Sequence, residues 1–331
     1  MKALVTGATG FVGGHLVEAL HRRGDEVTAL VRSPAKAGQL PALSVRQVAG
    51  DLHSPEALAE ALAGQDTVFH VAGLVAARNE AEFFRANRDG TANLVAAVRR
   101  SRGNTRLVLV SSMAAGGPAL RDVPMSGEEP AQPVTQYGRS KLAAEEVVRA
   151  SRLAWSIVRP PMVYGPRDRE LLRVFKLARL GVVPIFGDGT QQLSAVYAPD
   201  LAEALIAVGA SNTAAGRIYY ACHPEVFTSA ELVRLVARAV APAAGHDAPD
   251  PPAGPVRTIS FPAWAARAAL TLTSAAAAAL GRTTILTPDK AREFFQPAWT
   301  GNPTALYRDA GWQAAHDLET GLMKTVEWYR T

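Results

Sequence analysis

Thr6-Gly7-Ala8-Thr9-Gly10-Phe11-Val12-Gly13 is the stretch on which the reading of this chain turns. Before it, Lys2 to Thr6 holds the uninterrupted apolar run Ala3, Leu4, Val5, the pattern of a strand covered on both faces. After it, Phe11 to Arg23 has the apolar spacing of a helix, and Gly24 stops it. A glycine turn between a strand and a helix suits a phosphate. Glycines keep side chains out of the way of a pyrophosphate, and the helix N-terminus supplies unpaired N–H groups and a partial positive charge. An ordinary tight turn is the competing reading, and it leaves the flanking strand and helix unexplained. Gly7, Thr9, Gly10, Phe11, Val12 and Gly13 are therefore the expected residues around a dinucleotide pyrophosphate, with G-x-x-G-x-x-G spacing in place of G-x-G-x-x-G.

Outward from that turn, strands alternate with helices. Val27 to Val31, Ser44 to Val48, Thr67 to Ala72, Leu107 to Ser111 and Trp155 to Arg159 read as strands. Pro55 to Ala63, with Ser54 as N-cap, Glu80 to Arg102 and Gln136 to Ser151 read as helices, and Pro34 to Gln39 as a short one. Such alternation predicts an α/β fold, a doubly wound parallel sheet of the Rossmann type, with ligands beyond the carboxyl ends of the strands. The expected division is residues 1–167 for the nucleotide, with a return to that domain around 190–222. Residues 168–331 are expected to form a smaller, mostly helical C-terminal substrate lobe.

Within the lobe, Pro242 to Pro255 reads as an exposed loop and Ala305 to Arg330 as helix-like patches around Gly311. Phe261 to Gly281 is rich in Ala and Leu but interrupted by Arg267, Thr271, Thr273 and Ser274. Phe261, Trp264, Ala268 and Leu272 recur at helical spacing, which predicts an amphipathic helix with that face buried; transient membrane or lipid contact is the other reading. No integral membrane span is expected.

The 35 Lys and Arg against 30 Asp and Glu give a formal charge of only +5, without runs of one sign. Nucleic acid is therefore not an expected partner, and an anionic cofactor accounts for the balance equally well. Cys222 is the lone cysteine, which excludes an internal disulfide framework and fits a reducing compartment. With no signal-peptide pattern at the start, the expected location is cytoplasmic. No metal is expected.

Arg32 stands at the end of the second strand, where an acid usually bonds the free 2′-hydroxyl of NAD. With Ser33 beside it and Lys36 a turn away, it suits a 2′-phosphate, so NADP(H) is expected over NAD(H). Asp51-Leu52 falls near the adenine or is a solvated loop. Tyr137 and Lys141 lie one turn apart on one helix face, so both can reach one ligand. A lysine ammonium lowers a neighbouring tyrosine's pKa, and a proton donor is what hydride addition to a carbonyl requires. Ser112, at the end of the preceding strand, can bond the same oxygen.

These pieces, in order, resemble an extended short-chain dehydrogenase/reductase: Thr6 to Gly13, Asp51-Leu52, His70-Val71-Ala72-Gly73, Asn87-Arg88-Asp89-Gly90-Thr91, Ser111-Ser112, Tyr137 to Lys141, and Arg159 to Pro166. The resemblance implies that Tyr137 is the acid/base, that Lys141 also binds the nicotinamide ribose and that Ser112 polarises the carbonyl. It further implies that Asn87 supports the active-site end of the sheet, that Val71, Ala72 and Gly73 line the cofactor, and that Pro160 to Val163 meet the carboxamide. Homodimerisation through Glu80 to Arg102 and Gln136 to Ser151 is implied too. His70 is expected only to pack.

Within that family, Arg32, Met162 in place of an Asn, and Leu193 in place of an Arg depart from nucleotide-sugar enzymes, whose Asn and Arg hold the substrate diphosphate. The expected activity is therefore reduction of a ketone or aldehyde, or its reversal, on a small, hydrophobic substrate. Phe261 to Ala265 and Leu286-Thr287-Pro288 are similar to dihydroflavonol reductase-like and 3β-hydroxysteroid dehydrogenase-like members, and equally suit a plain lobe core. An NAD-retaining sugar-nucleotide epimerase/dehydratase is the alternative, and a non-catalytic NADPH sensor a further one.

Overall fold

The computed structural model describes residues 1–331 except 39, 102, 180–181, 241–256, 281–282 and 331. The loop expected over Pro242 to Pro255 thus lies outside the described residues. In the first half, β1 is Lys2–Thr6, α1 Phe11–Arg22, β2 Glu26–Val31, β3 Arg46–Ala49, α2 Pro55–Leu62 and β4 Thr67–His70. The expected long helix is α3 Glu80–Phe84, a π turn over Arg85–Asp89, and α4 Gly90–Arg100. Next come β5 Arg106–Val110, α5 Met113–Gly116, α6 Gln136–Arg149, β6 Trp155–Val158, β7 Met162–Tyr164, α7 Arg169–Arg179 and β8 Val182–Phe186. The chain continues through β9 Gln192–Leu193, β10 Ala195–Tyr197, α8 Ala198–Ala210, β11 Arg217–Tyr219, β12 Phe227–Thr228 and α9 Ser229–Val240. It closes with β13 Arg257–Phe261, α10 Ala263–Ala279, α11 Ala291–Phe294, β14 Ala298–Trp299, α12 Thr304–Ala310 and α13 Leu318–Arg330.

Seven parallel strands run in the order β11-β6-β5-β4-β1-β2-β3. The order reverses at β1, and that switch point opens a crevice beyond the carboxyl ends of β1 and β4. Side chains alternate across the sheet. Ala3 and Val5 join Leu16 and Leu20 of α1 and Leu201 and Leu205 of α8 in one core. Leu4 joins Leu58, Leu94, Val98 and Val148 in the other. The mostly helical C-terminal lobe, α9 to α13, shares a further apolar cluster with α7, β8 and β12, where Val236 and Leu322 meet Phe175, Ile185 and Phe227.

The fold refines one expectation and corrects another. Ser54 occupies the N-cap of α2, yet its hydroxyl donates to Asp51 Oδ1 at 3.1 Å and caps no N–H of that helix. In α10 the stripe expected to be buried faces out: Trp264 and Leu272 are exposed, and Leu270, on the opposite side, is buried. Periodicity marks an apolar face without saying what covers it. Among the described residues no helix is long and apolar enough to cross a membrane.

Candidate active site

Gly7 takes φ +74, a left-handed conformation that suits glycine, and a β-carbon there would lie 2.7 Å from Ala72 N at the end of β4. A β-carbon on Gly13 would overlap the Gly7 carbonyl oxygen. The turn is thus folded tightly against both neighbours. Gly10 is the N-cap of α1 and offers no side-chain oxygen to its first N–H groups, while Thr9 and Gly10 are exposed and Phe11 and Val12 half-buried. A cradle without side chains, backed by uncapped amides, fits a dinucleotide pyrophosphate.

Towards the adenosine end, Arg32 follows β2 and is exposed, and Lys36 lies in a short 3₁₀ turn over Pro34–Lys36. Asp51 accepts from His53 N at 2.8 Å and from Ser54 Oγ, so its carboxylate is engaged by its own turn. Leu52 packs under α4, where a β-carbon on Gly90 would come within 2.9 Å of it. Ala72 N donates to Thr6 Oγ1 at 3.3 Å and Val71 N to Thr6 O at 3.2 Å, tying the ends of β1 and β4 together. Buried His70 bridges Thr6 and Thr91, at 2.7 Å and 2.9 Å, and burial lowers its pKa to about 3. It is a neutral packing residue.

Ser112 lies two residues beyond β5 and caps α5, its Oγ accepting from Ala114 N at 3.2 Å. Thr135 caps α6, accepting from Gly138 N at 3.1 Å, and so starts the helix one residue before Tyr137. Burial of the Tyr137 phenol pushes its pKa up to about 12, opposed by the nearby Ser112 hydroxyl. Lys141 Nζ donates to Val110 O at 2.7 Å, and burial lowers its pKa to about 8. Spacing alone predicts a phenol acidified by Lys141; instead burial, joined by the Glu293 carboxylate, raises the Tyr137 pKa and keeps the phenol protonated.

Asn87 sits in the π turn. Its Oδ1 accepts from Leu74 N at 2.8 Å, and its Nδ2 donates to Leu74 O at 3.1 Å and to Ser140 Oγ at 2.9 Å. A β-carbon on Gly73 would be 3.0 Å from Asn87 Oδ1 and 3.6 Å from Lys141 Nζ. Gly73, Asn87 and Lys141 therefore meet at the end of β4, with Ser112 and Tyr137 near one another beyond β5. Pro160 O accepts from Met113 N at 2.9 Å, and Val163 of β7 stands opposite Val196 of β10.

Sequence reasoning missed two devices that hold α6. The first is buried: Arg159 Nε donates to Glu145 Oε1 at 2.9 Å and its Nη2 to Oε2 at 2.6 Å, with the Ser111 hydroxyl donating to the same carboxylate. Glu145 lies one turn beyond Lys141, so the pair fixes α6 against the end of β6. Its signal was an arginine at the end of an otherwise apolar strand. The second comes from the lobe: Thr135 Oγ1 donates to Glu293 Oε1 at 2.9 Å and Gln136 N to Asp289 Oδ2 at 2.8 Å. Carboxylates at a helix N-terminus are favourable. More than 150 residues separate these partners, and no local pattern reveals them.

The parallel sheet, the glycine turn at its switch point and the Ser-Tyr-Lys set define an NAD(P)-dependent oxidoreductase. Residues 3–222 match the NAD dependent epimerase/dehydratase family, and the chain belongs to it. It is 33% identical to the ceramide reductase of Caulobacter vibrioides over 98% of this chain and 93% of that one. It is 34% identical to a 2-alkyl-3-oxoalkanoate reductase of Stenotrophomonas maltophilia over 72% of this chain and 76% of the relative. Among solved structures, MoeE5 in complex with UDP-glucose and NAD superimposes with TM-score 0.76 at 27% identity, covering 100% of this chain and 99% of its own.

That likeness corrects the expected preference for NADP(H): the similar solved structure carries NAD. The physical reason lies at Arg32, which is exposed and makes no hydrogen bond or ion pair with another described residue. Among the described residues nothing holds its guanidinium as a preformed clamp for a 2′-phosphate. The solved structures also favour the NAD-retaining epimerase/dehydratase alternative over a specific ketoreductase.

Proposed function

We propose that the chain interconverts a secondary alcohol and a ketone with NAD(H) on an apolar substrate. The observation that carries this reading is the meeting of Ser112 with a protonated Tyr137, beside Lys141, Asn87 and Gly73 at the strand ends. Bound NADH supplies the hydride that reduces the carbonyl carbon. Tyr137 gives its phenolic proton to the oxygen that gains the electron pair, and the Ser112 hydroxyl holds that oxygen in place. Lys141 holds the nicotinamide ribose, and Asn87, through Leu74 and Ser140, keeps the floor of the site in register. The turn from Gly7 to Gly13 takes the pyrophosphate, with Val71, Ala72, Pro160 and Val163 at the nicotinamide end and Arg32, Lys36, Asp51 and Leu52 towards the adenosine.

Apolar substrate chemistry is supported by Met162 and Leu193, both packed against the lobe's hydrophobic cluster and without a polar group to offer a diphosphate. The names of the two reductase relatives agree with it. A second reading, reversible oxidation of a nucleotide sugar with NAD retained, is supported by the full-length likeness to MoeE5 with UDP-glucose and NAD. One assay separates them: purified protein with NADH and long-chain 3-oxo compounds, in parallel with UDP-glucose. Net NADH consumption with the former is the expected result. Conversion of the sugar nucleotide without net change in NADH would replace the first reading by the second.

A further inference from the structure

Helix α10 spans 17 residues, yet the other described residues cover little of it. Leu270 is 3% exposed, whereas Trp264, Leu272 and Leu280 are 75%, 71% and 69% exposed. Leu280 prolongs the helix by one residue, its N–H donating to Ala276 O at 3.2 Å. Trp264, Ala268, Leu272, Ala276 and Leu280 recur every four residues. At about 100° per residue they sweep an arc of roughly 160°, and every residue inside that arc is Trp, Leu or Ala. Arg267, Thr271 and Thr273 lie outside it. This is a continuous apolar face turned to solvent on a helix too short and too poorly apolar to span a bilayer.

The charge on it names the occupant. Helix α10 carries one charged residue, the exposed Arg267, and no acidic one. A second copy would set arginine against arginine, whereas an anionic lipid surface complements it. Tryptophan and leucine on one face, with arginine at its border, suit the boundary between headgroups and acyl chains. We propose that α10 is a peripheral docking helix that seats the C-terminal lobe on an anionic phospholipid bilayer, with Trp264 and Leu272 inserted. Helix α11 packs beside α10, and the segment leading into it and α11 itself supply Asp289 and Glu293 to the start of α6, so the docked face lies one element from the catalytic helix. The proposal goes beyond the proposed function and does not depend on which substrate is reduced.

The test is sedimentation of the full chain with vesicles of phosphatidylcholine alone or mixed with phosphatidylglycerol. Binding to the mixed vesicles only, weakened by salt, is expected. Trp264→Glu with Leu272→Glu should lower that binding roughly tenfold or more, and Arg267→Ala roughly fivefold. Both variants should keep the wild-type melting temperature and NAD affinity, because the side chains are exposed. The proposal fails if wild type ignores both vesicles, or if the double variant binds the mixed vesicles as well as wild type. It fails equally if light scattering shows a dimer that the double variant abolishes while vesicles bind neither protein.

Discussion

Glu145→Ala strips the Arg159 guanidinium of its partner in a place water does not reach. The two side chains are 0% and 2% exposed and share two charge-assisted hydrogen bonds. Removing one member of a buried pair costs about 3–5 kcal/mol, because the survivor stays desolvated and uncompensated. With about 2 °C per kcal/mol for a larger domain, the thermal midpoint should fall by roughly 6–10 °C. Circular dichroism melts of the full chain read this directly, and denaturant titration at constant m gives the free energy. A Glu145→Leu, Arg159→Met variant removes both charges and should recover most of the loss, since well-packed apolar replacements of buried pairs are often neutral. A single variant costing under about 1 kcal/mol, or a double variant as unstable as Glu145→Ala, would refute the argument.

Tyr137→Phe should lower turnover by roughly 10²–10⁴-fold while leaving NAD affinity within twofold by calorimetry; comparable losses in both would mean that the phenol serves packing instead. Gly13→Ala puts a methyl group into the Gly7 carbonyl, so NAD binding should drop at least tenfold in protein that still melts cooperatively; unchanged affinity would sink the account of the turn. Acid should destabilise the fold through His15 and His70, whose pKa values burial lowers to about 4 and about 3. Both lie below the unfolded value of about 6.5, so the unfolded chain binds more protons. Their stabilisation is complete above that pH and is lost as pH falls towards the folded values, at up to ~1.4 kcal/mol per unit for each histidine. Denaturant midpoints across that range should slope less in His70→Gln, and an unchanged slope would exclude His70.

The alternation of strands with helices and the glycine turn were legible because each is local: an apolar run such as Ala3 to Val5 and the glycines after it lie within a few residues. The nearness of Tyr137 to Lys141 was legible for the same reason, one helical turn separating them. Arg32 misled because residue type shows a charge without showing whether anything holds it in place. The outward stripe on α10 misled for a related reason, since an apolar period identifies a face and not its cover. Thr135 with Glu293, and Gln136 with Asp289, were illegible because contacts between distant residues leave no periodic trace. The π turn was invisible too: one added residue scarcely disturbs the apolar spacing of Glu80 to Arg102.

That added residue gives the chain an unequal tolerance to deletion. A π turn is an α-helix with one residue too many, and losing one position relaxes it to regular geometry with both flanking segments in their original phase. Deleting Arg88, which is exposed, would therefore cost the helix little and leave α4 seated on Leu52. Asn87 would be drawn back into the regular coil, away from Leu74 and Ser140. A single lost codon here separates heritable foldedness from heritable activity, a short route by which a descendant of this chain could persist as a binding protein after ceasing to turn over.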